Sequence, residues 1–147
     1  MAASEDPQAR VQQLAVTAEQ LRQETDILQQ QIALLQTTLQ QLRGAEDGLD
    51  ELQRRGDNAS SVLIPIGGGF FVRGQIPATK EVLTSIGSGT YRLFPLEKGL
   101  ERAKSQVETL EAQLVRLDQQ LSEKMAHLNS INREIESIIV QAQAEQK

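Results

Sequence analysis

The sequence predicts an α+β chain: a long antiparallel two-helix coiled coil that carries two β-hairpins at its bend, with the hairpins joining an oligomeric β-barrel. Three observations lead there. Apolar residues recur 3 and 4 apart from Val11 to Leu49, and the same rhythm returns from Leu100 to Ile138. A repeat of that period buries a narrow seam of one helix against another, and two such runs in one chain can supply each other's partner. Between them the vocabulary changes: all four aromatics (Phe70, Phe71, Tyr91, Phe94) and most of the glycines lie in the intervening segment. The division that follows is an N-terminal helix over residues 7–55, a double hairpin over 61–94 and a C-terminal helix over 95–145.

The first helix opens at Asp6-Pro7, an acceptor at the N-cap followed by proline at the first helical position. Its a positions are Val11, Ala18, Thr25, Ile32, Leu39 and Glu46; its d positions are Leu14, Leu21, Leu28, Leu35, Leu42 and Leu49. Gly44 and Gly48 each weaken a helix by about 1 kcal/mol relative to alanine, so bending or fraying is expected in the last turns. Arg54 and Arg55 suit the C-terminal end of the macrodipole, and Gly56 suits the residue beyond it. The tract Gly56 to Ser61 reads as a loop.

The middle segment reads as four strands, Val62–Ile66, Phe70–Ile76, Lys80–Ile86 and Thr90–Phe94, from their β-branched and aromatic content. Gly67-Gly68-Gly69 and Gly87-Ser88-Gly89 are tight turns that need positive φ, and Pro77-Ala78-Thr79 links the two hairpins. Pro65 removes a ladder donor and belongs at an edge or a bulge. Short strands without a covering element leave backbone edges and large apolar side chains open. Pairing with the like pieces of other subunits closes those edges, so oligomerisation is expected from the strands themselves. The interface residues are Val62, Ile64, Ile66, Phe70, Phe71, Val82, Ile86 and Tyr91.

Pro95 is read as the first residue of the second helix, with no cap oxygen on Phe94 before it. That helix places Leu100, Val107, Leu114, Leu121, Leu128, Ile135 and Ala142 at a, and Ala103, Leu110, Leu117, Lys124, Ile131 and Ile138 at d. Each helix holds about fifty residues, hence ~75 Å at 1.5 Å per residue. One antiparallel register sets the two polar seam residues, Thr25 and Lys124, in the same layer; the neighbouring registers face each with an apolar residue. That register pairs Val11 with Ile138, Leu14 with Ile135, Leu28 with Leu121, Leu35 with Leu114 and Leu42 with Val107. A polar layer of this kind specifies alignment at some cost in stability.

Composition excludes several classes. A formal net charge of −5 opposes a phosphate-backbone binder, which needs a basic face. Without cysteine there is neither a disulfide framework nor a thiolate metal site, and the single histidine, His127, sits at a g position with no second ligand near it. No cofactor and no metal are expected. No secretory or transit pattern and no long apolar run is present, so the expectation is a cytosolic, cytoplasmic protein that meets no membrane. The glycines at 67–69 are not followed by Lys-Ser/Thr or a helix, which excludes a phosphate loop. Glu134 and Glu136 do not share a helix face and read as solvated. The chain reads as a non-enzyme.

The turn pattern inside the hairpins, Ile64-Pro65-Ile66-Gly67-x-Gly69 and Ile86-Gly87-x-Gly89, flanked by two coiled-coil helices, resembles the α-class subunit of prefoldin over nearly the whole chain. Two hairpins match the α class; the β class has one. The resemblance implies an ATP-independent co-chaperone, or holdase, in which two α and four prefoldin beta subunits build a hexamer on a double β-barrel. It further implies that the coiled-coil tips hold unfolded polypeptides and deliver them to a group II chaperonin. At the tips, Val11, Leu14, Ile135, Ile138, Ile139 and Val140 form the expected client-binding cluster. Ile139 and Val140 lie at e and f, where a two-helix seam has no use for them. The rival reading is a structural or scaffolding coiled-coil subunit without client transfer.

Overall fold

The computed structural model describes residues 6–56, 60–77 and 80–146. The element order is α1 (Pro7–Arg55), β1 (Ser60–Gly67), β2 (Phe70–Ile76), β3 (Glu81–Gly87), β4 (Thr90–Pro95) and α2 (Leu96–Glu145). Two compact units result. One comprises Met1–Thr37 with Ala112–Lys147, and the other Thr38–Glu111.

α1 begins as its sequence requires. The Asp6 carboxylate accepts from the Gln8 amide at 3.1 Å, and the Asp6 carbonyl accepts from the Arg10 amide at 3.0 Å. The helix runs unbroken through Gly44 and Gly48 to Arg55, so the last turns do not fray. Arg54 and Arg55 bridge back to Asp50 and Glu51 one turn earlier, and Gly56 takes φ of 56° beyond the end.

Every buried residue of α1 falls at an a or d position: Leu14, Ala18, Leu21, Thr25, Leu28, Ile32 and Leu39. In the first unit Leu14, Ala18 and Leu21 share one cluster with Ile131, against which Leu128, Ile135 and Ile138 pack. Ile135 thus packs against the cluster that holds Leu14. The polar layer itself differs in detail. Thr25, only 6% exposed, turns its hydroxyl back to the Arg22 carbonyl at 2.8 Å. Lys124 reaches instead to the Glu24 carboxylate on the flank of the seam, at 2.5 Å. Neither polar group is stranded, yet they do not bond each other. Two further interhelix pairs, Arg10–Glu134 at 3.0 Å and Arg43–Glu111 at 2.7 Å, each lie within one unit. Glu134 is thus paired rather than merely solvated.

The second unit contains two separate two-stranded antiparallel sheets, β1 with β2 and β3 with β4. In the first, Val62 faces Gly74, Ile64 faces Val72 and Gly67 faces Phe70; Ile66 has no opposite residue. In the second, Val82 faces Phe94, Ser85 faces Tyr91 and Gly87 faces Thr90, and Ile86 is the unpaired residue. Pro65 adjoins the bulge, where a missing amide is tolerated. Both turns take the double positive φ of the primed hairpin class, 58° and 82° at Gly68-Gly69 and 50° and 72° at Ser88-Gly89.

Several boundaries differ from the sequence reading, and β1 and β3 each run one residue further than expected, to Gly67 and Gly87. Ser60 and Ser61 belong to β1 rather than to a loop, while residues 57–59 of that tract lie outside the described residues, as do Ala78 and Thr79 of the Pro77-Ala78-Thr79 link. β3 starts at Glu81, one residue later than expected. Pro95 is the last residue of β4, opposite Glu81, and not the first of the helix. The reason is a long-range bond: the Leu96 amide, at the start of α2, donates to the Lys80 carbonyl at 2.9 Å. This satisfies a donor that a capping side chain would otherwise serve.

Candidate functional site

Two surfaces carry the sequence-predicted residues, one in each unit. On the hairpins, Ile64, Ile66, Phe70, Phe71, Ile86 and Tyr91 are all exposed, with Phe70 at 71% and Phe71 at 59%. Val62 and Val82 are half-buried. Val82 is the residue that seats β3 on α2: a Cβ built on Gly99 would collide with its Cγ2 methyl, so glycine is what allows the close approach.

The two hairpins share one register, and several of their side chains correspond. Leu63 corresponds to Leu83, Ile66 to Ile86 and Phe71 to Tyr91, with the bulge at the same place. Three leucines that sequence reasoning missed, Leu63, Leu83 and Leu93, are exposed on the hairpins. The signal was available, since Leu63 and Leu83 alternate with Ile64 and Thr84 along strands that have no second covered face. Each strand also has one paired edge and one open edge. Large apolar side chains beside unpaired amides and carbonyls form a template for further strand pairing.

At the helix termini the predicted cluster is only partly open. Leu14 is buried, and Ile135 and Ile138 pack against its cluster, so the three close the seam. Val11 is half-buried, whereas Ile139 and Val140 stand out at 44% and 63% exposure. A shallow groove of about 490 Å³ runs past Pro7, Val11, Ile138, Ile139 and Ala142, bordered by glutamines.

The chemistry of these surfaces is apolar. Among the described residues no group of His, Cys, Asp or Glu could hold a metal ion, and no helix is long and apolar enough to cross a membrane. His127 is exposed. The shifted carboxyls are paired ones. The hydrogen bond from Lys124, then its charge, holds Glu24 below the ordinary value of 4.5, and the hydrogen bond from Arg55 with the charge of Arg54 does the same for Glu51.

The family model described as "Prefoldin subunit" matches residues 4–141. The chain belongs to the prefoldin subunit family. Its relatives within the family include the "Prefoldin subunit alpha" of Methanobrevibacter smithii, 30% identical over 122 residues that make up 83% of this chain and 77% of that one. The alpha subunit of Methanospirillum hungatei is 29% identical over 147 residues, covering 100% of this chain and 97% of its own. A eukaryotic relative, the "Probable prefoldin subunit 5" of Dictyostelium discoideum, is 26% identical over 87% of this chain and 83% of that one. These relatives set the chain on the alpha side of the prefoldin family, in accord with its two hairpins. Among solved structures, the filamentous PFD of Methanocaldococcus jannaschii shares the fold, with a TM-score of 0.56 at 23% identity over 86% of this chain and 98% of that one.

Proposed function

We propose that this chain is the α-class subunit of an ATP-independent, cytosolic co-chaperone. Two copies join four β-class subunits through their hairpins, which close into β-barrels. The helix termini hold non-native polypeptide and release it to a group II chaperonin. No bond is made or broken in this work. The observation that supports the reading best is the hairpin surface: Phe70, Phe71, Leu63, Leu83 and Tyr91 are exposed beside open strand edges, an arrangement that other subunits must cover. Capture at the termini draws on Ile139, Val140 and Val11, with single contacts weak and several tips adding through effective concentration.

A second reading, a scaffolding subunit without client transfer, is favoured by the closure of Leu14, Ile135 and Ile138 into the seam. One experiment separates the two. The double substitution Ile139→Ser and Val140→Ser removes exposed apolar groups only, so assembly with a co-expressed β-class subunit should be unaffected while suppression of client aggregation in light scattering falls. Undiminished suppression by the assembled variant would remove Ile139 and Val140 from the capture surface, and an assembled parent complex that suppresses no aggregation would leave the scaffolding reading standing.

A further inference from the structure

In the second unit a groove of about 620 Å³ opens among the last turns of α1, strands β1 to β3 and the first turns of α2. Its wall is apolar through Leu49, Leu52, Val62, Ile76 and Val82. The charged groups in it are Glu51, Arg55 and Arg102. Glu51 is already engaged by Arg54 and Arg55. Arg102 is not so matched. Its guanidinium stacks on the Phe94 ring at 5.7 Å from the centroid, and the other guanidinium near that ring is Arg92 at 5.3 Å, a like charge. The Nε donor of Arg102 is screened from water and has no hydrogen-bond partner among the described residues.

A shielded charged donor without an acceptor is unfavourable by more than an ordinary unmade hydrogen bond. Among the described residues, then, no carboxylate of the groove serves Arg102. The surrounding strands do not supply one: residues 60–95 hold Arg73, Lys80 and Arg92 against Glu81 alone, although the whole chain is at −5. The acid is on the helices and the excess positive charge is on the hairpins.

Resting on the assembly reading above, we propose that this groove seats an acidic, apolar hairpin segment from a different subunit of the complex, with a carboxylate of that segment on Arg102. A second copy of this chain is the wrong occupant. It would bring the same excess of arginine and lysine to a desolvated contact, and like charges there oppose association. The charge pattern thus selects the hetero-partner at the hairpins while the apolar wall supplies the area.

The test uses the full chain assembled with a β-class prefoldin subunit of the same organism. With p-benzoylphenylalanine in place of Leu83, irradiation should join this position to a β-class peptide in which Asp or Glu neighbours apolar residues. Arg102→Met, which keeps the stem, should weaken assembly about tenfold to a hundredfold, the range for losing a charged hydrogen bond. Arg102→Glu should weaken it further, and reversing the cross-linked carboxylate to lysine should restore it. Unchanged helix content in circular dichroism excludes misfolding as the cause. Cross-linking to a second copy of this chain, or full assembly of the Arg102→Glu variant, overturns the proposal while leaving the assembly reading intact. Failure of the unmodified chains to assemble would remove that reading and the inference together.

Discussion

Ile131→Ala is the sharpest probe of what holds the first unit together. Ile131 is 4% exposed and packs with Leu14, Ala18 and Leu21 across the seam. The substitution removes three carbon groups, about 2.4 kcal/mol of transfer free energy at ~0.8 each. The cavity contribution should be small, because no side chain among the described residues is fully enclosed and water or neighbours can fill the gap. Alanine regains a few tenths of a kcal/mol through its better helix propensity. The net loss is about 2 kcal/mol. Amide exchange on the assembled protein, compared at equal protomer concentration, should show the opening free energy of α1 and α2 in this unit falling by that amount. Val140→Ala, at a position 63% exposed, is the control and should stay within about 0.5 kcal/mol. If both variants behave alike, the buried heptad cluster is not what closes these helices.

Three other outcomes follow from the same contacts. Because Glu24 titrates below its ordinary 4.5 when folded, its contribution is fully present above that pH and is lost as pH falls through the folded value. Lys124→Met should flatten the acid limb of a stability–pH profile, leaving the part due to Glu51; an unchanged limb would mean the pair is not coupled to folding. Thr25→Val with Lys124→Leu should raise the thermal midpoint while broadening interhelix distances between spin labels at residues 11 and 138, because an all-apolar seam no longer distinguishes registers; a single sharp distance would remove the polar layer's role. Gly99→Ala should destabilise by roughly 1–3 kcal/mol, since displacing Val82 outweighs the ~1 kcal/mol gained in helix propensity. A more stable variant in chemical denaturation would show that the seat of β3 on α2 can yield.

The heptads, the N-cap at Asp6 and the hairpin turns were legible because each is set by neighbours a few residues away. A period of 3.5 or an Ile-Gly-x-Gly turn can be read along one strand of text. Pro95 could not be placed in this way. Its position as a strand end depends on the Lys80 carbonyl, which takes the Leu96 amide from across the hairpin. Nor could the partner of Lys124 be found, since Glu24 at the seam flank and Thr25 within it are adjacent in sequence and only side-chain reach decides between them. Nor did the sequence tell which residues of the expected terminal cluster stand open, because Leu14 is buried in a cluster against which Ile135 and Ile138 pack.

Sequence by itself therefore determined the elements, their order and the seam positions, carried by local periodicity and turn stereochemistry, while its turn motifs carried the resemblance to the family. Tertiary structure alone decided that β3 lies close on α2 at Gly99 and that Arg102 is left beside Phe94 with its Nε lacking an acceptor. Those facts depend on which distant side chains meet, and pattern along the chain carries no record of that distance.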